Sequence, residues 1–399
     1  MNIYRQRGLS LIEMMIALTI GLVILMAMTS VFVNSSRSQM ASQNSAQQIE
    51  NGRYAIDTLT QDLHYAGYYG EYSTYPDGTP PLPDPCATDV PTLQASLGYP
   101  VQGITALQTA NGIPTVVPAL TGTSCATYLP AANLYPGSDI LVVRHADPGT
   151  SAWNTSSDGH LVPGTDKALN GEVYIQSNPL AAEIQLGNGA VIPASNTVKA
   201  DGTAADVLAR GGASAAPIYK YLVHIYFVAP CSRPNGGGSV CTGANDDAGS
   251  PIPTLKMLEL SLNSAGTLTF NVIPIAEGVE AFKVEYGIDN SPTTANATTN
   301  RIGDGVPDEY IPNATSNQPP AAAYPDAVTV KLFLVTRDSQ PTQGYAAIST
   351  LQGFTFPVAT STGLNGTGLK YGPYNDNYKR HAYDTSIRLE NMSARREIP

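Results

Sequence analysis

Polarity changes character twice in the first third of the chain. From Leu9 to Val33 the residues are apolar on every side of a helix, and Glu13 is the one charge before Arg37. About 20 such residues cross the hydrocarbon core of a bilayer. From Asn34 the composition turns to Ser, Gln and Ala. Ala46, Ile49, Ile56, Leu59, Leu63 and Ala66 then recur in steps of three, four or seven. That period predicts an amphipathic helix. Proline is absent from Leu9 to Tyr75, so one continuous helix is expected to about Ala66, roughly 85 Å long at 1.5 Å per residue. Gly52, costing about 1 kcal/mol inside a helix, is expected to mark a bend. Gly67 is the expected stop.

Beyond Gly67 the period shortens to two. Asp139–Arg144 and Glu172–Ile175 are short strand signals, and Tyr219–Val228, apolar or aromatic on both faces, predicts a central strand. Leu258, Leu260 and Leu262 alternate with polar partners. Asn263-Ser264-Ala265-Gly266 turns the chain, and Leu268, Phe270 and Val272 return. Phe282, Val284 and Tyr286 mark a further strand, as do Val328 to Leu334 and Tyr383 to Leu389. Between Tyr68 and Pro136 proline-rich punctuation predicts a long irregular stretch. No internal repeat is present. The expected fold class is α+β: a long N-terminal helix (amphipathic over 34–67) packed on an antiparallel β-sheet head with long loops (68–399).

Composition narrows the function. Charge is sparse and acidic, with a net of −11, so general attraction to nucleic acid is excluded. Cys86, Cys125, Cys231 and Cys241 make an even count, which in an exported domain predicts two disulfides. Three connectivities are possible; nearness in sequence favours Cys86–Cys125 and Cys231–Cys241. No CxxC or His-containing ligand spacing supports a metal site at the cysteines.

The N-terminus carries the most specific signal. Arg5 and Arg7 precede the apolar run and predict a cytoplasmic N-terminus. A small residue, Gly8, stands before that run, whereas a secretory signal places its cleavage site after it. The order basic leader, Gly8, Leu9, Glu13, apolar helix resembles the class III leader of type IV pilins. The resemblance implies cleavage after Gly8 by a prepilin peptidase, removing residues 1–8, and methylation of Leu9. It also implies a polymerisation helix over 9–33, in which Glu13 pairs with a neighbouring subunit's N-terminal amine. A plain signal anchor is the bland alternative, but a carboxylate among apolar residues costs insertion energy that such an anchor has no use for.

Ile275-Ala276-Glu277-Gly278-Val279-Glu280, Val284 to Asp289, Asp304-Gly305-Val306-Pro307-Asp308, Ala327 to Leu332 and Tyr378 to Asn391 together resemble the PilW family of type IV pilus minor pilins. That resemblance implies a low-abundance subunit that primes pilus assembly at the tip. Its implied partners are other minor pilins, the major pilin, the inner-membrane assembly machinery and a large tip adhesin. It places the chain first in the inner membrane, with its head in the periplasm, and later in the pilus at the cell surface. The alternatives are a minor pseudopilin of type II secretion and a ligand-binding tip adhesin, whose unrecognised segment from Tyr72 to Ala216 would contact a surface.

Catalytic motifs are missing. His64, His145, His160, His224 and His381 are scattered without helical ligand spacing, and no nucleophile elbow, Walker loop or dinucleotide fingerprint occurs. An enzyme is not expected. His64 reads as a helix-surface residue, His224 as a satisfied strand residue and Asp246-Asp247 as a solvated loop pair. The one cofactor candidate is Ca²⁺, held by Asp289, Asp304, Asp308 and Glu309 beside Asn290, because hard cations take several oxygens around a turning Gly. Against it, Arg301 brings a positive charge next to that loop, and an ordinary acidic turn is the simpler reading.

Overall fold

A single helix, α1 (Leu11–Tyr65), runs for 55 residues, about 80 Å. The structure, a computed structural model, describes residues 10–72, 82–107, 109, 113–120, 124–150, 171–186, 209–210, 214–215, 218–291, 303–313, 319–342, 345, 354–356, 369–371, 374 and 376–397. Before Gln48 no residue of α1 is buried. From there Gln48, Gly52, Ala55, Leu59, Asp62 and Leu63 face the head. The helix stops where Gly67 takes φ +72° and donates its N–H to the Arg144 carbonyl.

The remaining helices are short: α2 (Val90–Ala95), α3 (Cys125–Tyr128) and α4 (Glu390–Arg396). The strands in chain order begin with β1 (Val101–Leu107), β2 (Thr115–Val117), β3 (Asp139–Ala146), β4 (Val173–Ser177) and β5 (Ala182–Leu186). Next come β6 (Ala209–Arg210), β7 (Ser214–Ala215), β8 (Ile218–Ala229), β9 (Thr254–Leu262), β10 (Leu268–Glu277) and β11 (Val279–Ile288). The last are β12 (Glu309–Pro312), β13 (Ala327–Arg337), β14 (Phe354–Phe356), β15 (Leu369–Tyr371) and β16 (Arg380–Arg388).

They form two main sheets rather than one. The larger has the order β10-β9-β8-β3-β1-β2, with β4 paired to β8 and β5 to β4, and the smaller has the order β12-β11-β13-β16. The pairings in both are antiparallel. Alternation along β3 and β8 explains the layering. Ile140, Val142, Ile225 and Phe227 point into one core with α2 and the Cys86–Cys125 bridge. Leu141, Val143, Tyr226 and Val228 point into a second core, shared with Leu59 and Leu63 of α1 and with Phe282 and Leu332 of the smaller sheet. The larger sheet is therefore covered on both faces, which is why Tyr219–Val228 carries apolar or aromatic residues on both of its faces.

The stretch expected to be irregular contains β1. Its polar Gln102 hid the strand, and inside the fold that residue accepts from the buried Arg144 guanidinium at 2.9 Å. The β9–β10 hairpin pairs Leu262 with Leu268, Leu260 with Phe270 and Leu258 with Val272. Asn263 Oδ1 closes its turn by accepting from the N–H groups of Ala265 and Thr267. Pro274 sits at a register shift in β10, an edge strand, where a missing donor is tolerated.

Candidate functional site: the N-terminal helix and its seat on the head

Gly8 and Leu9 lie outside the described residues. Ser10 precedes the helix in extended conformation and donates its N–H to Glu13 Oε2 at 3.0 Å. Ser10 and Glu13 form a capping box at the start of the helix. Both residues are exposed, so the carboxylate caps its own helix only weakly and stays open to another donor. From Leu11 to Val33 the apolar side chains stand bare, Leu11 at 79% and Phe32 at 73% exposure. This is the one helix among the described residues long and apolar enough to cross a membrane.

The second half of α1 is seated by backbone-reading side chains as much as by apolar ones. Gln48 Nε2 donates to the carbonyls of Thr336 (2.7 Å) and Lys379 (3.2 Å), and Asn51 Nδ2 donates to that of Glu277. At the far end Asn391 donates to the carbonyls of His64 and Ala66, and Arg395 to those of Gly67 and Tyr72. Gly52 lies inside the uninterrupted helix, at a close approach to the head. A Cβ there would meet the Tyr383 ring at 2.3 Å. The buried stripe is also rotated from the expected one. Ala46 and Ile49 remain exposed and Ile56 half-buried. With Arg53, Tyr54 and Tyr383 they line an open groove of about 1050 Å³ between α1 and the edge strand β16.

Asp62 lies on the buried face of α1, and its Oδ1 sits 2.8 Å from both His145 Nε2 on β3 and His224 Nδ1 on β8. Burial opposes its charge, but His224 and His145 outweigh that and hold the carboxyl well below its ordinary value. Burial likewise opposes the His224 cation, and Asp62 prevails, raising that imidazole. Sequence reading missed this cluster because its members lie 83 and 162 residues from Asp62. The available signal was Asp62 itself, a carboxylate three residues after Leu59 on the packed face, which demands partners.

The disulfides join Cys86 to Cys125 and Cys231 to Cys241. Asp246 and Asp247 are not a solvated pair. Asp246 is buried and accepts from the N–H groups of Asn235, Thr242 and Gly243 and from the Thr242 hydroxyl. Asp247 accepts from the N–H groups of Ser232, Arg233 and Ile252. Together they organise the loop that the second disulfide closes.

The proposed Ca²⁺ ligands do not converge. Asp289 is buried and its Oδ2 meets Arg396 Nε at 3.2 Å, which supplies the positive charge a cation would have brought. Asp304 accepts from the Val306 N–H in its own turn. Asp308 serves Asn290 and Ser291, and Glu309 accepts from Asn290. These carboxylates close a turn and dock α4. Arg301 lies outside the described residues.

Residues 240–391 match the family described as Type IV Pilus-assembly protein W, and residues 3–29 match the prokaryotic N-terminal methylation motif. The chain is a type IV pilin-like protein whose C-terminal part is similar to the PilW family. The PilW match spans β9 to β16 and the start of α4, which include some of the surfaces that hold α1. A solved type IV-like pilin from Thermus thermophilus is similar at 18% identity, over 43% of this chain and 79% of that one, with a TM-score of 0.20. No curated protein matches the chain.

Proposed function

We propose that this type IV pilin-like chain is a minor pilin, a structural subunit that primes type IV pilus assembly and enters the fibre at or near its tip. The observation that carries this reading is α1 itself. Its apolar half is bare from Leu11 to Val33, while its other half is locked to the head by Gln48, Gly52, Ala55, Leu59 and Leu63. A bare apolar helix needs lipid before assembly and neighbouring helices after it. The rigid seat transmits that docking to the head. With Arg5 and Arg7 before the span, the head faces the periplasm and the N-terminus the cytoplasm. Cleavage after Gly8 then leaves Leu9 as the N-terminus. The partners are other minor pilins, the major pilin and the inner-membrane assembly machinery.

The test is co-purification of the tagged chain from membranes and from sheared pili, with intact-mass analysis. The expected result is recovery with other pilins and loss of Met1 to Gly8. Recovery with a secretin and pseudopilins would transfer the chain to type II secretion. A mature chain beginning at Met1 would overturn the leader reading.

A further inference from the structure

We propose that Asp62, His145 and His224 form a binding site for a divalent transition metal of the zinc class, which ties α1 to β3 and β8. Three elements bring one donor each. His145 and His224 occupy diagonal positions on neighbouring strands, since Val143 pairs with His224 and His145 with Leu222, so both rings leave the same face of the sheet. Their centroids are 5.6 Å apart. Asp62 descends from the helix onto both. The three ligating atoms lie within 4.8 Å of one another.

The hydrogen-bond pattern is one that a metal would complete. His145 Nδ1 lies 2.9 Å from the Ala146 carbonyl, so that nitrogen carries a proton. An Nδ1–H held by a backbone carbonyl orients an imidazole with its Nε2 lone pair outward, as in metal sites. That Nε2 points at Asp62. Oδ1 of the Asp62 carboxylate meets both imidazoles, and its Oδ2 is buried. The Tyr226 hydroxyl hydrogen-bonds the same carboxylate. A cation between the three groups would draw on both oxygens and both nitrogens.

Ligand type sets the metal. Two imidazoles and one carboxylate suit zinc and its late first-row neighbours rather than Ca²⁺, which takes six to eight oxygens. At zinc-to-nitrogen distances of about 2.0–2.1 Å, tetrahedral donors stand about 3.3 Å apart. The present 2.8 Å separations must therefore open by about half an ångström. His224 is the outermost ligand, its side chain 12% exposed, and gives the ion its approach. Three protein ligands leave a fourth position for water or the Tyr226 hydroxyl.

The experiment uses the untagged full-length chain in detergent, stripped with chelator and titrated with cobalt(II) chloride, then with zinc chloride. One equivalent of cobalt should bind with visible ligand-field bands, zinc should displace it, and zinc should raise the unfolding temperature. His224→Gln, confirmed as folded by its circular-dichroism spectrum, should bind at least tenfold more weakly and lose the zinc-dependent shift. Asp62→Asn serves the same purpose from the helix side. A wild-type chain that takes up no cobalt or zinc overturns the proposal. So does a folded His224→Gln that binds with wild-type affinity. Pilus incorporation is scored separately, so failure here leaves the minor-pilin reading untouched.

Discussion

Tyr383 lays its ring against the bare backbone of Gly52, and its hydroxyl donates to the Ile49 carbonyl at 3.3 Å. The edge strand β16 thereby grips the seated half of α1 at a position where the helix has no side chain. Gly52→Ala gains about 1 kcal/mol of helix propensity but forces the ring aside, an overpacking cost of about 1–3 kcal/mol. The unfolding temperature of the detergent-solubilised chain should fall. In a Tyr383→Ala background the same substitution should be neutral or stabilising. An unchanged penalty there would show that the ring is not the obstacle.

Asp246 should make the loop between β8 and β9 acid-sensitive. Burial pushes its carboxyl up, but hydrogen bonds led by the Asn235 and Gly243 N–H groups outweigh that and hold it at about 2. A carboxyl depressed in the folded chain contributes stability above its ordinary value of 3.8 and loses that contribution as pH falls through about 2. Asp246→Asn turns an amide toward N–H donors and should destabilise by about 1–3 kcal/mol at neutral pH. Denaturant midpoints of the two proteins should converge between about pH 4 and pH 2. A gap constant over that range would refute the assignment.

The two disulfides close loops of different length, with separations of 39 and 10 residues. Loop-closure entropy then predicts a loss of about 4 kcal/mol for Cys86→Ser with Cys125→Ser, against about 2.7 kcal/mol for the Cys231 and Cys241 pair. Urea unfolding of each double variant checks the order. The reverse order would mean that the Asp246–Asp247 loop depends on its bridge for more than chain entropy.

Among the described residues the Glu13 carboxylate bonds to its own chain only through an exposed contact with the Ser10 N–H, which leaves it available to a neighbour's amine. Glu13→Ala should leave membrane insertion intact or slightly better, since an insertion penalty disappears. It should reduce the share of the chain found in sheared pili relative to the inner membrane, with Glu13→Gln intermediate. An unchanged ratio would assign docking to the head alone.

What the amino-acid order determined by itself is local or periodic. The helix from Leu11 to Tyr65 follows from an unbroken run without proline. The β9–β10 hairpin follows from alternating leucines around Asn263 and Gly266, and the burial of β8 from apolar residues on both faces. Each depends on neighbours within a turn or a strand, so the pattern is written in consecutive residues. The tertiary structure decided which face of α1 is seated, because Gln48, Asn51 and Gly52 engage carbonyls and a ring from residues more than 200 positions away. It divided the strands between two sheets, since β3 and β8 present alternating faces to two cores that hydropathy cannot distinguish. It gathered Asp62, His145 and His224, because a buried carboxylate is stable only where distant donors meet it, and such a meeting leaves no spacing in the sequence.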